Sequence, residues 1–379
     1  MESSVSFQKI IPSFIEDFIE EYIPHKLKLE ECEDDKSFFI NSSLNCLTNN
    51  KSFIQYLYHY TSLNPSEYFN IFNETIRGIF DYIKENKNQK ERMKNYDLEG
   101  FNNLVLKKIK LFEFKLNHDP RVLIDCIFNS FLNVNSNDYL NISSLNFLNI
   151  DENTSNQFDK SFMENNDKES NIPNNEKINI TIEKSNICPN CGNNNILYIF
   201  FPTFHLDLKE NAETEYTINK CINNYFEKVN EESEYICSKC SNIFKNKSKS
   251  KFQKLPNDLI FFLYYIKKNE NDNNSSEFYY KFEQILDFTN NDFFDNKNIE
   301  NKKFYLSSII LCKSPKTKEE FFYTLCRKGH DSDFLMYKTK DKGVYRHGKI
   351  IKRQVNRLKN ENNKDLSFPY VLIYSKMEK

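Results

Sequence analysis

The stretch "EECEDDKSFFINSSLNCLTNN", Glu30–Asn50, is where the reading of this chain turns. Its first part carries Glu30, Glu31, Glu33, Asp34 and Asp35, and its second places Phe39, Ile40, Leu44 and Leu47 at helical spacing. That period predicts a helix, and the pattern resumes beyond the "TNN" break at Phe53, Ile54, Leu57 and Tyr58. Helical patterns follow over 68–87 and 98–110. In "NHDPRVLIDCIFNSFL" (117–132), Asp119 is suited to capping the free amides of a helix start and Pro120 to its first position. Val122, Leu123, Cys126, Ile127 and Phe131 would line one face of that helix. Upstream, Ile10, Ile11, Phe14, Ile15, Phe18, Ile19 and Tyr22 predict a short amphipathic helix, so the first third of the chain reads as mostly α.

Downstream the pattern dissolves. Residues 133–186 are Asn, Ser, Asp and Glu with scattered apolar residues, the composition of a disordered insert. Beyond it come short runs rich in Phe, Tyr and Ile: "NILYIFFPTFHLDL", "LPNDLIFFLYYI", "FYLSSIILCK", "EEFFYTLCRK", "FLMYKTK" and "PYVLIYSK". Their length and their β-branched and aromatic content predict strands, interrupted by one helical stretch, "YTINKCINNYFEKVN". A helical first part joined to a β-rich second part is an α+β layout.

The mean hydropathy of −0.70 is polar, yet 35 Phe and 22 Tyr supply ample apolar surface for a core. A net charge of −2 gives no general drive toward nucleic acid or anionic lipid. The basic runs "KNKSKSKFQK" (245–254) and "KTKDKGVYRHGKIIKR" (338–353) read as solvated faces or loops. The longest apolar run, "LIFFLYYI", is far below the roughly 18 residues of a membrane span. The first residues lack the basic n-region of a secretory signal, so the expectation is a soluble intracellular chain in cytoplasm or nucleus, with no membrane partner. In that setting ten cysteines point to thiols or metal ligands rather than disulfides.

Cys188 and Cys191 in "CPNCG" and Cys237 and Cys240 in "CSKC" form two CxxC knuckles. Two intervening residues let both thiolates of a knuckle turn toward one ion, and four sulfurs close a tetrahedral zinc site of structural type. A redox CxxC and unrelated cysteines are the alternatives. Cys221, between the knuckles at an apolar helical position, reads as core, as do Cys32, Cys46, Cys126, Cys312 and Cys326.

The order of "INSSLNCL", the "DPRVLIDCIFNSF" helix, the two CxxC knuckles, "LPNDLIFFLYYI" and "YVLIYS" resembles the ubiquitin-specific proteases, over roughly residues 29–376. The resemblance implies a papain-like cysteine-protease fold with a helical thumb, a β-rich palm and zinc-ribbon fingers. It divides the chain into an N-terminal extension (1–28), a thumb (29–132), an insert (133–186), fingers (187–254) and a palm (255–379), with 29–379 one domain. The family box Gly-Leu-x-Asn-x-Gly-Asn-Thr-Cys, followed by an aromatic, an apolar residue, Asn and Ser, is matched in its trailing half by Phe39, Ile40, Asn41 and Ser42, then Leu44, Cys46 and Leu47. Phe38 then falls on the nucleophile and Glu33 on the asparagine that resembles an oxyanion-hole donor. "FYLSSIILC" and "EFFYTLCRK" resemble the strands of the histidine box, which puts Phe321 on the general base. "DFLMYKT" resembles the following strand, with Lys338 or Thr339 where an acidic or amide residue would orient that base.

Cysteine-protease chemistry needs a thiolate, a base, a group that orients the base and oxyanion donors. By this resemblance all four positions are replaced, so no catalytic residue is assigned. Three other routes to activity are open from the sequence: Cys46 as nucleophile, Cys32 among five acids, and His330 as base in a register shifted by nine residues. The expectation is a pseudoenzyme of the ubiquitin system that binds ubiquitin, a ubiquitin-like protein or an assembly partner. An active deubiquitinase with a displaced nucleophile and a zinc-ribbon nucleic-acid-binding scaffold are its rivals, and the charge balance speaks against nucleic acid.

Overall fold

The structure, a computed structural model, describes residues 38–50, 53–54, 70, 72–75, 78, 99–108, 112, 118–131, 179–209, 216–266, 280–289, 291, 293–294, 302–313, 321–327, 334–337 and 367–377. The expected helix within 1–28, the acidic run 30–35 and residues 133–178 of the expected insert lie outside them.

Helices α1 (Phe38–Thr48), α2 (Glu99–Lys108) and α3 (Pro120–Phe131) bear out the α reading of the first third. Asp119 caps α3: its Oδ1 accepts from the Arg121 amide at 2.8 Å, and Pro120 opens the helix. Helix α1 ends at the "TNN" break, where Asn50 Oδ1 accepts from the Phe53 amide at 2.9 Å and so caps the next helical turn.

The second part is β-rich, in strands β1 (Ile180–Ile187), β2 (Asn194–Phe201), β3 (Thr203–Lys209), β4 (Tyr216–Thr217), β5 (Glu232–Ile236), β6 (Ile243–Lys247), β7 (Lys249–Lys254), β8 (Asp258–Ile266), β9 (Tyr280–Lys281), β10 (Ile285–Asp287), β11 (Lys303–Lys313), β12 (Phe321–Cys326), β13 (Leu335–Tyr337) and β14 (Ser367–Lys376). Helix α4 (Ile218–Val229) interrupts them as expected. Its N-terminus is held by Thr217, which accepts from the Lys220 amide at 3.2 Å, and by the Glu283 carboxylate, which accepts from the Ile218 amide at 3.0 Å.

The main sheet runs β13-β12-β11-β14-β8-β3, with β10 paired to β11. Both of its faces are covered, which is why its strands read as continuous apolar runs rather than alternating ones. Strand period divides them: Ile260, Phe262, Ile310, Cys312, Phe322, Val371 and Ile373 join the core under α1, α2 and α3. The residues between them, Leu259, Phe261, Leu263, Ile309, Leu311, Leu325, Leu372 and Tyr374, join a second core with Ile218, Cys221, Ile222 and Phe226 of α4. Phenylalanine dominates both cores, and each fully buried ring contributes about 1.5–3 kcal/mol.

A smaller sheet, β2-β1-β7, and the β5-β6 hairpin carry the cysteine knuckles. Two sequence expectations are corrected here, and one is borne out. Residues 180–186, assigned to the disordered insert, are strand: Ile180 and Ile182 are buried in the second core, and the Asn-rich flank hid that alternation. The basic run 245–254, read as a solvated face or loop, is a solvated face: it forms the end of β6 and all of β7, with Ser250 and Phe252 turned inward and the lysines turned out. Strand β3, placed in the fingers by position, belongs to the main sheet, since the chain bends at Pro202 and β3 pairs parallel with β8. Among the described residues no helix is long and apolar enough to cross a membrane.

Candidate functional site

Helix α1 is buried along its whole length, and strand β12 lies against it. Thr324 Oγ1 donates to the Ser42 carbonyl at 2.9 Å, and Cys326 Sγ lies 3.8 Å from the Asn45 carbonyl. Two residues along β12, about 6.6 Å, thus match three residues along α1, about 4.5 Å, so helix and strand run in the same direction. Their first residues, Phe38 and Phe321, therefore stand at the same end of the pair.

Phe38 is 7% exposed at the start of α1. The Phe39 ring lies 5.4 Å from Phe112 and stacks on His118 at 5.1 Å, and His118 Nε2 is 3.0 Å from the Phe112 carbonyl. Ser43 Oγ donates to the Phe39 carbonyl at 2.8 Å and reaches the Pro120 carbonyl at 3.3 Å, which ties the helix start to α3. Phe38 has neither a nucleophilic atom nor a titratable proton. Glu33, Cys32, His330, Lys338 and Thr339 lie outside the described residues.

Cys46 sits two turns into α1, fully buried. Burial, and then the neighbouring Cys326, push its thiol well above the ordinary range despite a hydrogen bond with Ser308. Burial likewise pushes the Cys326 thiol up to about 12, although Ser308 Oγ donates to it at 3.4 Å. Both are thiols at neutral pH, walled off from any substrate, and neither has the electropositive, accessible surroundings of a reactive cysteine.

Two polar clusters near this helix–strand pair were not legible in the sequence. Burial disfavours the Arg121 charge, but Asp119 outweighs it and holds the guanidinium above its ordinary value. Arg121 donates Nε to both Asp119 oxygens, at 3.1 and 3.0 Å, and Nη1 to the Leu263 carbonyl at 2.7 Å. Its plane is sandwiched between Tyr264 and Tyr370, 4.4 and 4.2 Å from the ring centroids, so it clasps α3 to β8 and β14. Further along α3, Asp125 Oδ1 accepts from Thr203 Oγ1 at 2.8 Å, with His205 Nε2 3.6 Å from its other oxygen. Only the pairing of α3 with β3 brings these three together.

The second centre is the cysteine cluster. The sulfurs of Cys188, Cys191, Cys237 and Cys240 all lie within 4.8 Å of one another, with Cys188–Cys240 at 3.7 Å and Cys191–Cys237 at 3.5 Å. Four sulfurs about 2.3 Å from a tetrahedral ion are roughly 3.8 Å apart, so the cluster has the dimensions to hold one metal ion. The two knuckles are built alike. Cys188 N donates to Asn193 O and Gly192 N to Cys188 O; Cys237 N donates to Asn242 O and Ser241 N to Cys237 O. Gly192 and Ser241 occupy the same left-handed position, φ 67° and 57°, after the second cysteine of each knuckle. Backbone amides of Cys240 and Lys239 point at the Cys237 sulfur and hold its thiol down at about 6. Cys221, as expected, is core rather than ligand.

No protein-family model matches the chain, and no curated protein matches it. Solved structures do. The chain is similar to a chain of the SAGA Ubp8/Sgf11/Sus1/Sgf73 DUB module, at 15% identity and TM-score 0.51, over 97% of this chain and 73% of that one. It is also similar to the SAGA DUB module bound to monoubiquitin, at 14% identity and TM-score 0.53, over 97% and 74%. The architecture is thus the α+β fold of the ubiquitin-specific proteases, as the order of motifs implied.

Proposed function

We propose that this chain is a catalytically silent ubiquitin-specific-protease-like protein that acts by binding ubiquitin or an assembly partner. One observation carries the reading: α1 and β12, which run in the same direction, begin at the same end of the pair with Phe38 and Phe321, where the family resemblance assigns the thiol and the imidazole. A phenyl ring can neither attack a carbonyl nor accept a proton, and Glu33 and Lys338 or Thr339 at the remaining positions offer no substitute. The burial of Cys46 counts against a displaced nucleophile. A DUB-module structure bound to monoubiquitin supports ubiquitin as the ligand, and the multi-protein nature of that module supports a role within an assembly.

The cysteine cluster holds zinc in this reading. Four thiolates suit Zn²⁺, and a site with every coordination position taken by protein is structural, so Cys188, Cys191, Cys237 and Cys240 brace the fingers and take no part in hydrolysis. The protein works inside the cell, in cytoplasm or nucleus.

The test is incubation with a ubiquitin vinyl probe, read by intact mass, beside calorimetry with unmodified ubiquitin. The expected result is binding heat without an adduct. An adduct on Cys32 or Cys46 would overturn the loss of catalysis. Absence of both adduct and heat would overturn ubiquitin as the ligand.

A further inference from the structure

Strand β1 carries Ile182, Lys184, Asn186 and Cys188 at alternate, inward-facing positions. Ile182 belongs to the second core and Cys188 to the cysteine cluster, so the two residues between them form a polar layer between two apolar ones. Lys184 is 8% exposed and Asn186 4%. On β7, Ser250 stands directly opposite Lys184 and is 6% exposed. On β5, Ser233 and Tyr235 take the inward positions ahead of Cys237. The Lys184 ammonium lies 5.8 Å from the centroid of the Tyr235 ring, and Lys184, Ser233 and Ser248 all approach the Tyr235 hydroxyl.

The groups of this layer do not satisfy one another. The hydroxyls of Ser233, Tyr235 and Ser250 and both polar side-chain atoms of Asn186 are buried without completing a hydrogen bond. Ser248 turns its own hydroxyl away, to the Val229 carbonyl at 3.2 Å. Among the described residues no carboxylate pairs with Lys184. The acids beside it in sequence and space face the other way, Glu183 to Lys251 at 3.2 Å and Glu234 to Lys245 at 3.5 Å. A buried ammonium without a counter-charge is unfavourable, and so is each buried polar atom without a partner. Water would satisfy the hydroxyls and leave the charge, whereas an anion answers both: Lys184 only donates, the hydroxyls rotate to donate, and Asn186 offers its amide N–H.

We propose that Lys184, Asn186, Ser233, Tyr235 and Ser250 bind inorganic phosphate, which ties β1 and β7 to the β5-β6 hairpin just behind the cysteine cluster. A tetrahedral oxyanion presents acceptor oxygens in several directions, matching donors that converge from three strands. At neutral pH phosphate also keeps a proton, which Asn186 Oδ1 accepts. Ser233 and Tyr235 are half-buried while the rest of the layer is buried, so the site opens on one narrow side and admits a free ion rather than a phosphorylated chain.

Calorimetric titration of the full chain with sodium phosphate, at an ionic strength held constant with sodium chloride, tests this. One saturable site per chain is expected. Lys184→Met keeps the length of the side chain and removes its charge, and is expected to weaken binding tenfold or more. Ser250→Ala removes one small donor, is expected to weaken binding severalfold, and carries the test should Lys184→Met not fold. Phosphate is also expected to slow hydrogen exchange in 232–236 of the wild type by more than in either variant, because its general stabilising effect is common to all three proteins. Absence of a saturable phosphate site, or an affinity and an exchange response that the variants share with the wild type, overturns the proposal.

Discussion

The hydroxyl of Thr324 donates to the carbonyl of Ser42 at 2.9 Å, across 282 residues of sequence. This bond joins the strand that begins at Phe321 to the helix that begins at Phe38. Around it the interior is closed: Thr324 is fully buried, and Ser42 turns its own hydroxyl back to the Phe39 carbonyl at 3.0 Å. On the proposed reading, the helix and strand that the sequence resemblance aligns with the thiol-bearing and base-bearing elements are fastened together as packing.

Thr324→Val keeps the shape and the β-branch while removing that donor. The expected cost is about 1 kcal/mol, because the Ser42 carbonyl is the only group that loses a partner. Urea denaturation monitored by circular dichroism measures it, and a change near zero would show that the bond does not fasten the strand to the helix.

Cys46, Cys126 and Cys326 are expected to resist alkylation in the folded protein at pH 8 and to react fully in urea, read by intact mass. The same burial sets a pH dependence. Cys126 and Cys326 are pushed up from 9.0 to about 12, so the folded state holds their protons where the unfolded chain releases them. A raised folded value means the contribution is intact below pH 9 and is lost as pH climbs toward 12. The loss approaches on the order of 4 kcal/mol per thiol. Replacing both by Ala or Val should flatten that part of the alkaline stability profile.

Asp119→Ala removes the cap of α3 and leaves the Arg121 guanidinium buried between two tyrosines without its carboxylate. The expected loss is about 3–5 kcal/mol. Asp119→Asn retains capping oxygen but not charge, and should fall between the two. Chemical denaturation of the three proteins separates the cap from the ion pair.

The four-cysteine cluster predicts one zinc per chain by mass spectrometry under native conditions, and none after Cys237→Ser. Zinc sites of this type couple binding to folding by on the order of 10 kcal/mol in small peptides. Chelation should therefore abolish protection of the β5-β6 hairpin in hydrogen exchange. The main sheet, which buries its own two cores, should stay protected. An unchanged hairpin after chelation would show that the metal does not brace the fingers.

By itself the sequence determined what depends on neighbours within a few residues. The Asp119–Pro120 helix start, the break after α1 at "TNN", the two cysteine knuckles and the apolar strand runs are set by local caps, turns and periods, and all stand as read. The order of those pieces also carried the fold. What only the tertiary structure decided is partnership at long range. Residues 180–186 become a strand because Ile180 and Ile182 find a core made elsewhere, and β3 joins the main sheet because Pro202 turns it onto β8. Arg121 needs the Leu263 carbonyl, 142 residues away, and Thr324 needs Ser42 across 282. A local pattern states which face of an element must be buried, whereas the energy that selects its partner comes from contacts that exist only once the chain has closed on itself.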